Sequence, residues 1–100
     1  EPPRIQATAA VMANGTRVFG AFCSVCHGPG AVSGGVIPDL RRSPVLQDAD
    51  AWRATVHGGR AANGMPDFTQ WVSDSDAEAV RAYVAHEAAG LYAQEHAAAH

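Results

Sequence analysis

Residues 23 to 27 read Cys23-Ser-Val-Cys26-His27, and no other stretch constrains this chain as tightly. Two thiols roughly one helical turn apart can each add to one vinyl group of the same porphyrin edge. The imidazole of the next residue, His27, can then place a nitrogen on the iron from the proximal side. A Cys-x-x-Cys pair followed at once by His is the spacing of covalent c-type haem attachment. A chain built around that motif has to fold about a flat cofactor that the sequence does not encode.

The same cysteines have plainer uses. Half of a zinc site would need a second Cys/His pair at similar spacing. The chain has only two cysteines, and of His57, His86, His96 and His100 only the last two form such a pair, at the end of the chain. A thioredoxin-like dithiol calls for a βαβ context, and no segment shows the alternation of a strand. A structural disulfide would leave the adjacent His27 unexplained. Haem attachment accounts for all three side chains together.

Length and composition agree. One hundred residues make one small domain with a marginal core, to which a bound haem would add apolar surface. Hydrophobic residues make up 47% of the chain, but many are alanine, which suits a fold wrapped round a cofactor. The formal charge is −3, and all seven basic residues are arginines. Without lysine there is no lysine ring for docking on acidic partners, and without a basic stripe nucleic-acid binding is not expected. No apolar run of 18 residues or more is long enough to span a bilayer. The chain starts at Glu1 rather than Met, with no visible signal peptide, which suggests a processed product or an excised piece. Glu1-Pro-Pro-Arg4 reads as the end of a linker, so residues 1–7 are expected to be an extension and 8–100 a single domain.

The pattern is all-α. A helix is expected from Thr8 to about Phe22, with Val11, Val18, Phe19 and Phe22 sharing a face. Gly15 interrupts it and needs a packing reason, because it costs about 1 kcal/mol against Ala. Glycines and Pro29 make residues 28–35 irregular, and Pro38 forbids regular helix in the apolar segment 36–40. Asp48 or Asp50 can cap a helix that Gly58-Gly59 ends near His57. A second loop, 60–72, carries Met65, Phe68 and Trp71. Ser73 with Asp76 resembles a capping box at the head of a last helix with Ala77, Val80, Tyr83 and Val84 on one face. That helix should reach at least Ala89, with Gly90 a possible stop. Three or more helices, joined by two loops, are left to close over the cofactor.

The opposite axial position decides the chemistry. Met65, inside Gly64-Met65-Pro66, is the candidate thioether ligand, since a glycine-flanked loop is a poor place for a gap-filling methionine. Met12 reads as core. The competing imidazoles are His57, near a helix end, and His86, His96 and His100, most simply solvated. With His27 and Met65 both bound, the iron is closed to small molecules and its potential is raised relative to a bis-His site. Pro38 offers a carbonyl to the second ring nitrogen of His27. Arg41 and Arg42 are candidates to pair with haem propionates, and the Trp52 indole N–H either joins them or finds a partner in the core.

Together, Gly15-x-x-x-Phe19, Cys23 to His27, Pro38-x-Leu40, Gly64-Met65-Pro66 and Val80-x-x-Tyr83-Val84 resemble a class I c-type cytochrome over nearly the whole chain. The resemblance implies a small cytochrome c fold, three to five helices with loops wrapped around one covalently bound haem c. It also implies that the first and last helices cross at Gly15 and an aromatic, that Pro38 accepts from His27, and that Met65 is the distal ligand. A closer likeness, through residues 27–41 and Gly64-Met65-Pro66-x-Phe68, is to the C-terminal haem domain of quinohaemoprotein (PQQ-dependent) alcohol dehydrogenases. It implies a bacterial periplasmic setting, a quinoprotein or other dehydrogenase as electron donor, and a soluble or membrane electron acceptor. Nothing in these residues would bind the quinone itself. The alternatives are the cytochrome subunit of a flavin dehydrogenase, or a haem gas sensor or peroxidase-like protein if Met65 is labile.

Overall fold

The computed structural model describes residues 2–28, 30, 40–59, 65 and 68–98, and among these every regular element is helical. Helix α1, Ala9–Val18, is capped by Thr8, whose Oγ1 accepts the Val11 N–H at 3.1 Å. It runs without a break into a π turn, Phe19–Cys23, and then into α2, Ser24–His27. The sequence suggested an end near Phe22. The helical run instead carries through the cysteine motif, because the Ser24 N–H reaches back to the Phe19 carbonyl. It stops at Gly28, whose φ of 85° leaves helical space. Val11, expected on the buried face, is 39% exposed; the buried part of the run begins only at Gly15.

Two 3₁₀ turns, Leu40–Arg42 and Pro44–Gln47, lead into α3, Ala49–Ala54. Of the two possible caps, Asp48 is the one used: its Oδ1 accepts the N–H groups of Asp50 at 3.0 Å and Ala51 at 3.1 Å. A π-type turn comes next over Thr55–Gly59, where Gly58 takes φ 101° and ends the helix as the glycine pair suggested. Helix α4, Asp74–Ala98, opens on the expected capping box. Ser73 Oγ accepts the Asp76 N–H at 3.1 Å, and Asp76 Oδ2 accepts the Ser73 N–H at 3.4 Å. The helix continues past Gly90, a single glycine costing only about 1 kcal/mol in a helix.

The fold is organised by the crossing of α1 and α4. A Cβ placed on Gly15 would lie 2.1 Å from the Ala79 carbonyl oxygen and 3.1 Å from Tyr83 Cβ, so the two backbones touch there. One turn on, the Phe19 ring packs against Tyr83 with centroids 5.2 Å apart. Val18, Phe19, Ala77, Val80 and Val84 are buried around this point, and Leu46, Trp52, Val56 and Val72 extend the same core. Each large side chain buried there contributes about 1.5–3 kcal/mol relative to exposure. Ile5, in the proline-containing extension, also packs against this core. Trp52 donates its indole N–H to the Ala77 carbonyl at 2.9 Å, joining α3 to α4. Arg81 Nη1 donates to the Leu46 carbonyl at 3.2 Å and holds the second 3₁₀ turn against α4. Asn14 Nδ2 donates to Asp76 Oδ1 at 2.9 Å and ties α1 to the head of α4. Among the described residues, no helix is long and apolar enough to cross a membrane.

Two predictions concern this crossing. Gly15→Ala gains about 1 kcal/mol of helix propensity but forces a methyl against a backbone oxygen that cannot swing aside. Overpacking of that kind costs about 3 kcal/mol, so the urea midpoint should fall by the equivalent of about 2 kcal/mol at unchanged m-value; a stability equal to wild type would contradict the contact. The second is a pH effect. The Asn14 amide holds Asp76 below its ordinary carboxyl value of 3.8, aided by Ser73 and Arg17 and opposed by partial burial. A carboxyl whose pKa is depressed by folding stabilises the fold above its unfolded pKa and loses that stabilisation as pH falls through the folded one. The stability gap between wild type and Asn14→Ala should therefore be full at pH 7 and narrow below pH 3.8; a gap that does not change with pH would show that the bond is not to the carboxylate.

Candidate functional site

The helical run places positions 23, 26 and 27 at i, i+3 and i+4, the spacing that puts residues on one helix face. Cys23 stands at the junction of the π turn and α2, with φ −110° and ψ −34°, and is half-buried. The π turn adds one residue to a single turn and so rotates α2 relative to Phe19. Phe19 is thereby committed to α4, while the thiol and imidazole positions lie at and beyond the junction.

His27 ends α2, and its ring is half-buried. Its Nδ1 is buried with no hydrogen-bond partner. Burial pushes His27 below the ordinary imidazole value of 6.5, so the ring is neutral at pH 7, the form that carries a lone pair for a metal. A buried ring nitrogen left without a partner costs about 1–3 kcal/mol and marks a place built to receive something more. Pro38, whose carbonyl was expected to accept from His27, lies outside the described residues.

Next to Cys23 in the chain, Phe22 packs against Phe68, with centroids 6.1 Å apart, and stacks on Trp71 at 6.5 Å and 23°. Trp71 is 56% exposed, so these three rings form an apolar flank that reaches the surface beside the thiol motif. Met65 is half-buried. It belongs to the segment after α3 whose far end returns to that helix, where the Phe68 N–H donates to the Val56 carbonyl at 3.1 Å. Gly64 and Pro66 lie outside the described residues. Two thiol positions, a neutral imidazole with an orphaned nitrogen, a half-buried thioether and an aromatic flank are a donor set and a surface that fit a covalently held haem.

The other expected contacts fall elsewhere. The Trp52 N–H is taken by Ala77 inside the core, which is the core role rather than the propionate role. Arg42 forks onto Glu95, Nη1 to Oε1 at 3.2 Å and Nη2 to Oε2 at 2.9 Å, on the exposed side of α4; the carboxylate it meets belongs to the protein. Arg41 is half-buried and lines the same hollow, with Pro2, Leu91 and Tyr92. Among the competing imidazoles, His57 points Nε2 at the Val72 carbonyl (2.9 Å) and Nδ1 at Asp74 Oδ1 (3.5 Å). His96 stacks on Tyr92, with centroids 3.8 Å apart. His86 is exposed beside Glu87, and His100 lies outside the described residues. Among the described residues, no three of His, Cys, Asp and Glu gather as a metal site. Sequence reasoning missed the π turn, the ring stack and the His57 contacts. Only the aromatic content of 68–71 hinted at any of them.

Comparison with known proteins bears directly on this arrangement. The chain is 36% identical over 85% of its length to quinohaemoprotein alcohol dehydrogenase ADH IIB of Pseudomonas putida, covering 12% of that protein. It is 32% identical over 70% of its length to cytochrome c550 of Pseudomonas aeruginosa, covering 51% of that protein. The solved structure of quinohaemoprotein alcohol dehydrogenase ADHIIG from Pseudomonas putida superposes with a TM-score of 0.83 at 32% identity, over 92% of this chain and 13% of that one. The chain thus spans about an eighth of the quinohaemoprotein relatives it matches, and the superposition carries the all-α cytochrome c fold. Residues 10–84 match the family described as cytochrome C oxidase, cbb3-type, subunit III, a stretch that takes in the α1–α4 crossing, the cysteine motif and Met65, and on that match the chain belongs to this family of c-type cytochromes.

Proposed function

We propose that this chain is a one-electron carrier whose haem is joined through Cys23 and Cys26 and ligated by His27 and Met65. The family implies haem c and electron transfer; the residue roles are our assignment. The observation that carries it is the buried, unpartnered Nδ1 of His27, on the same helical run as both cysteines. Haem supplies a one-electron iron couple, with a potential that the axial ligands shift across about 0.8 V. Cys23 and Cys26 fix the porphyrin edge. His27, kept neutral by burial, offers its lone pair from one side, and Pro38 orients the ring through its carbonyl. Met65 offers a thioether from the other side and keeps that position closed to small molecules. Phe22, Phe68 and Trp71 exclude water from one flank. Arg41 remains the better placed of the two arginines for a propionate, since Arg42 already has Glu95.

The electron donor in this reading is a PQQ-dependent alcohol dehydrogenase, with this chain as its domain or its partner. Support comes from the quinohaemoprotein relatives. The acceptor is a downstream soluble or membrane carrier, and the setting is the bacterial periplasm. The likeness to cytochrome c550, of which the chain covers half, favours a second reading in which the carrier is separate from its dehydrogenase.

Met65→Ala tests the ligand assignment. It should leave covalent haem in place, open the sixth position to carbon monoxide in the reduced state, and lower the midpoint potential; an unchanged spectrum and potential would remove Met65 from the coordination sphere.

A further inference from the structure

The segment that carries Met65 leaves α3 at Gly58 and returns at Phe68 to reach α4 at Asp74. Its two ends are fastened to each other. The Phe68 N–H donates to the Val56 carbonyl at 3.1 Å, and the Val72 N–H donates to the Phe68 carbonyl at 2.8 Å. The side chain of His57 spans this neck with a further hydrogen bond. Its Nε2 lies 2.9 Å from the Val72 carbonyl, so Nε2–H donates, and Nδ1 faces Asp74 Oδ1 at 3.5 Å. The ring side chain is 20% exposed while Asp74 is 77% exposed, so the bond to Val72 is the shielded one and the contact with Asp74 the screened one. The donor survives in both protonation states of the imidazole, because the proton that is lost sits on Nδ1.

The backbone there needs such a fastening. His57 takes φ −95° and ψ 34°, and Gly58 takes φ 101°, so the helix ends sharply and the chain turns out of it at this residue. A carbonyl at position 72, ahead of the α4 cap, has no helical N–H to receive. His57 satisfies it and in doing so holds the exit and the return of the Met65 segment together.

We infer that His57 is a positioning residue for the distal ligand: a latch across the neck of the Met65 segment that sets how often the thioether leaves the iron. This rests on the proposed ligation by Met65. Release of a loop-held ligand requires local opening of the segment that carries it, and the latch bond must break in that opening. Loss of a shielded hydrogen bond should raise the open fraction roughly tenfold.

The test uses the holoprotein with three variants. His57→Leu should keep covalent haem and far-ultraviolet helix content, yet bind carbon monoxide when reduced, and imidazole when oxidised, roughly tenfold faster than wild type. It should also speed hydrogen exchange at the Phe68 N–H. His57→Gln, which can present an N–H at the position of Nε2, should restore wild-type values for all three. Wild-type ligand binding in His57→Leu, or no rescue by Gln, would overturn the latch. Met65→Ala separates this from failure of the ligation itself. If Met65→Ala opens the site and His57→Leu does not, the latch alone is wrong; if Met65→Ala changes nothing, the ligation is wrong. Should His57→Leu not fold, hydrogen exchange of the wild-type protein decides. The Phe68 and Val72 N–H groups must exchange together in one opening event, and independent exchange at the two would contradict a latch.

Discussion

Everything that bears on the site depends on one contact, the touching of α1 and α4 at Gly15. Because a Cβ there would sit 2.1 Å from the Ala79 carbonyl oxygen, the two helices approach as closely as their backbones allow. Phe19 then reaches Tyr83, and the helical run beyond it is fixed in direction. The π turn and α2 extend that run, so the place where a haem edge would be held is set by a helix crossing rather than by a loop. The head of α4 is tied into the same corner by Asn14 and Asp76, and α3 is joined to α4 by the Trp52 bond to Ala77. A small protein with few large aliphatic residues gains its rigidity from these specific contacts.

Much of this was legible in the sequence because it was written in local chemistry. Ser73 and Asp76 announced a helix start three residues apart, Gly58-Gly59 announced an end, and Gly15 asked for a close neighbour. The apolar period of Ala77, Val80 and Val84 marked the buried face of α4. The features that were not legible depended on tertiary choice. The π turn at Phe19–Cys23 arises from a carbonyl being taken by a residue five on instead of four, and no residue type demands that. Trp52 offered one N–H to two plausible acceptors, and the helix carbonyl of Ala77 took it. Arg42 needed a carboxylate and found Glu95, 53 positions away. His57 looked like a residue near a helix end with a favourable dipole; its bond to Val72 joins elements separated by the whole Met65 segment.

Those corrections sharpen the function. With Trp52 in the core and Arg42 on Glu95, propionate recognition is narrower than the sequence suggested, and the closed or open state of the iron falls to two groups, His27 and Met65. A neutral, half-buried His27 with an orphaned nitrogen is suited to permanent ligation. A thioether on a segment fastened at its neck is suited to staying bound through a redox cycle. That combination favours an outer-sphere carrier over a sensor or a peroxidase-like enzyme, which must release its distal ligand to work. The exposed Trp71, stacked on Phe22 beside the cysteine motif, supplies an apolar flank where such a carrier would keep water from the porphyrin edge.

The claim that the site is closed on both sides is tested most directly by adding carbon monoxide to the reduced wild-type protein at neutral pH and recording the visible spectrum. We predict no change at concentrations that saturate an open haem. Conversion to a carbon monoxide complex at stoichiometric ligand would contradict the account and return the protein to the sensing or catalytic class.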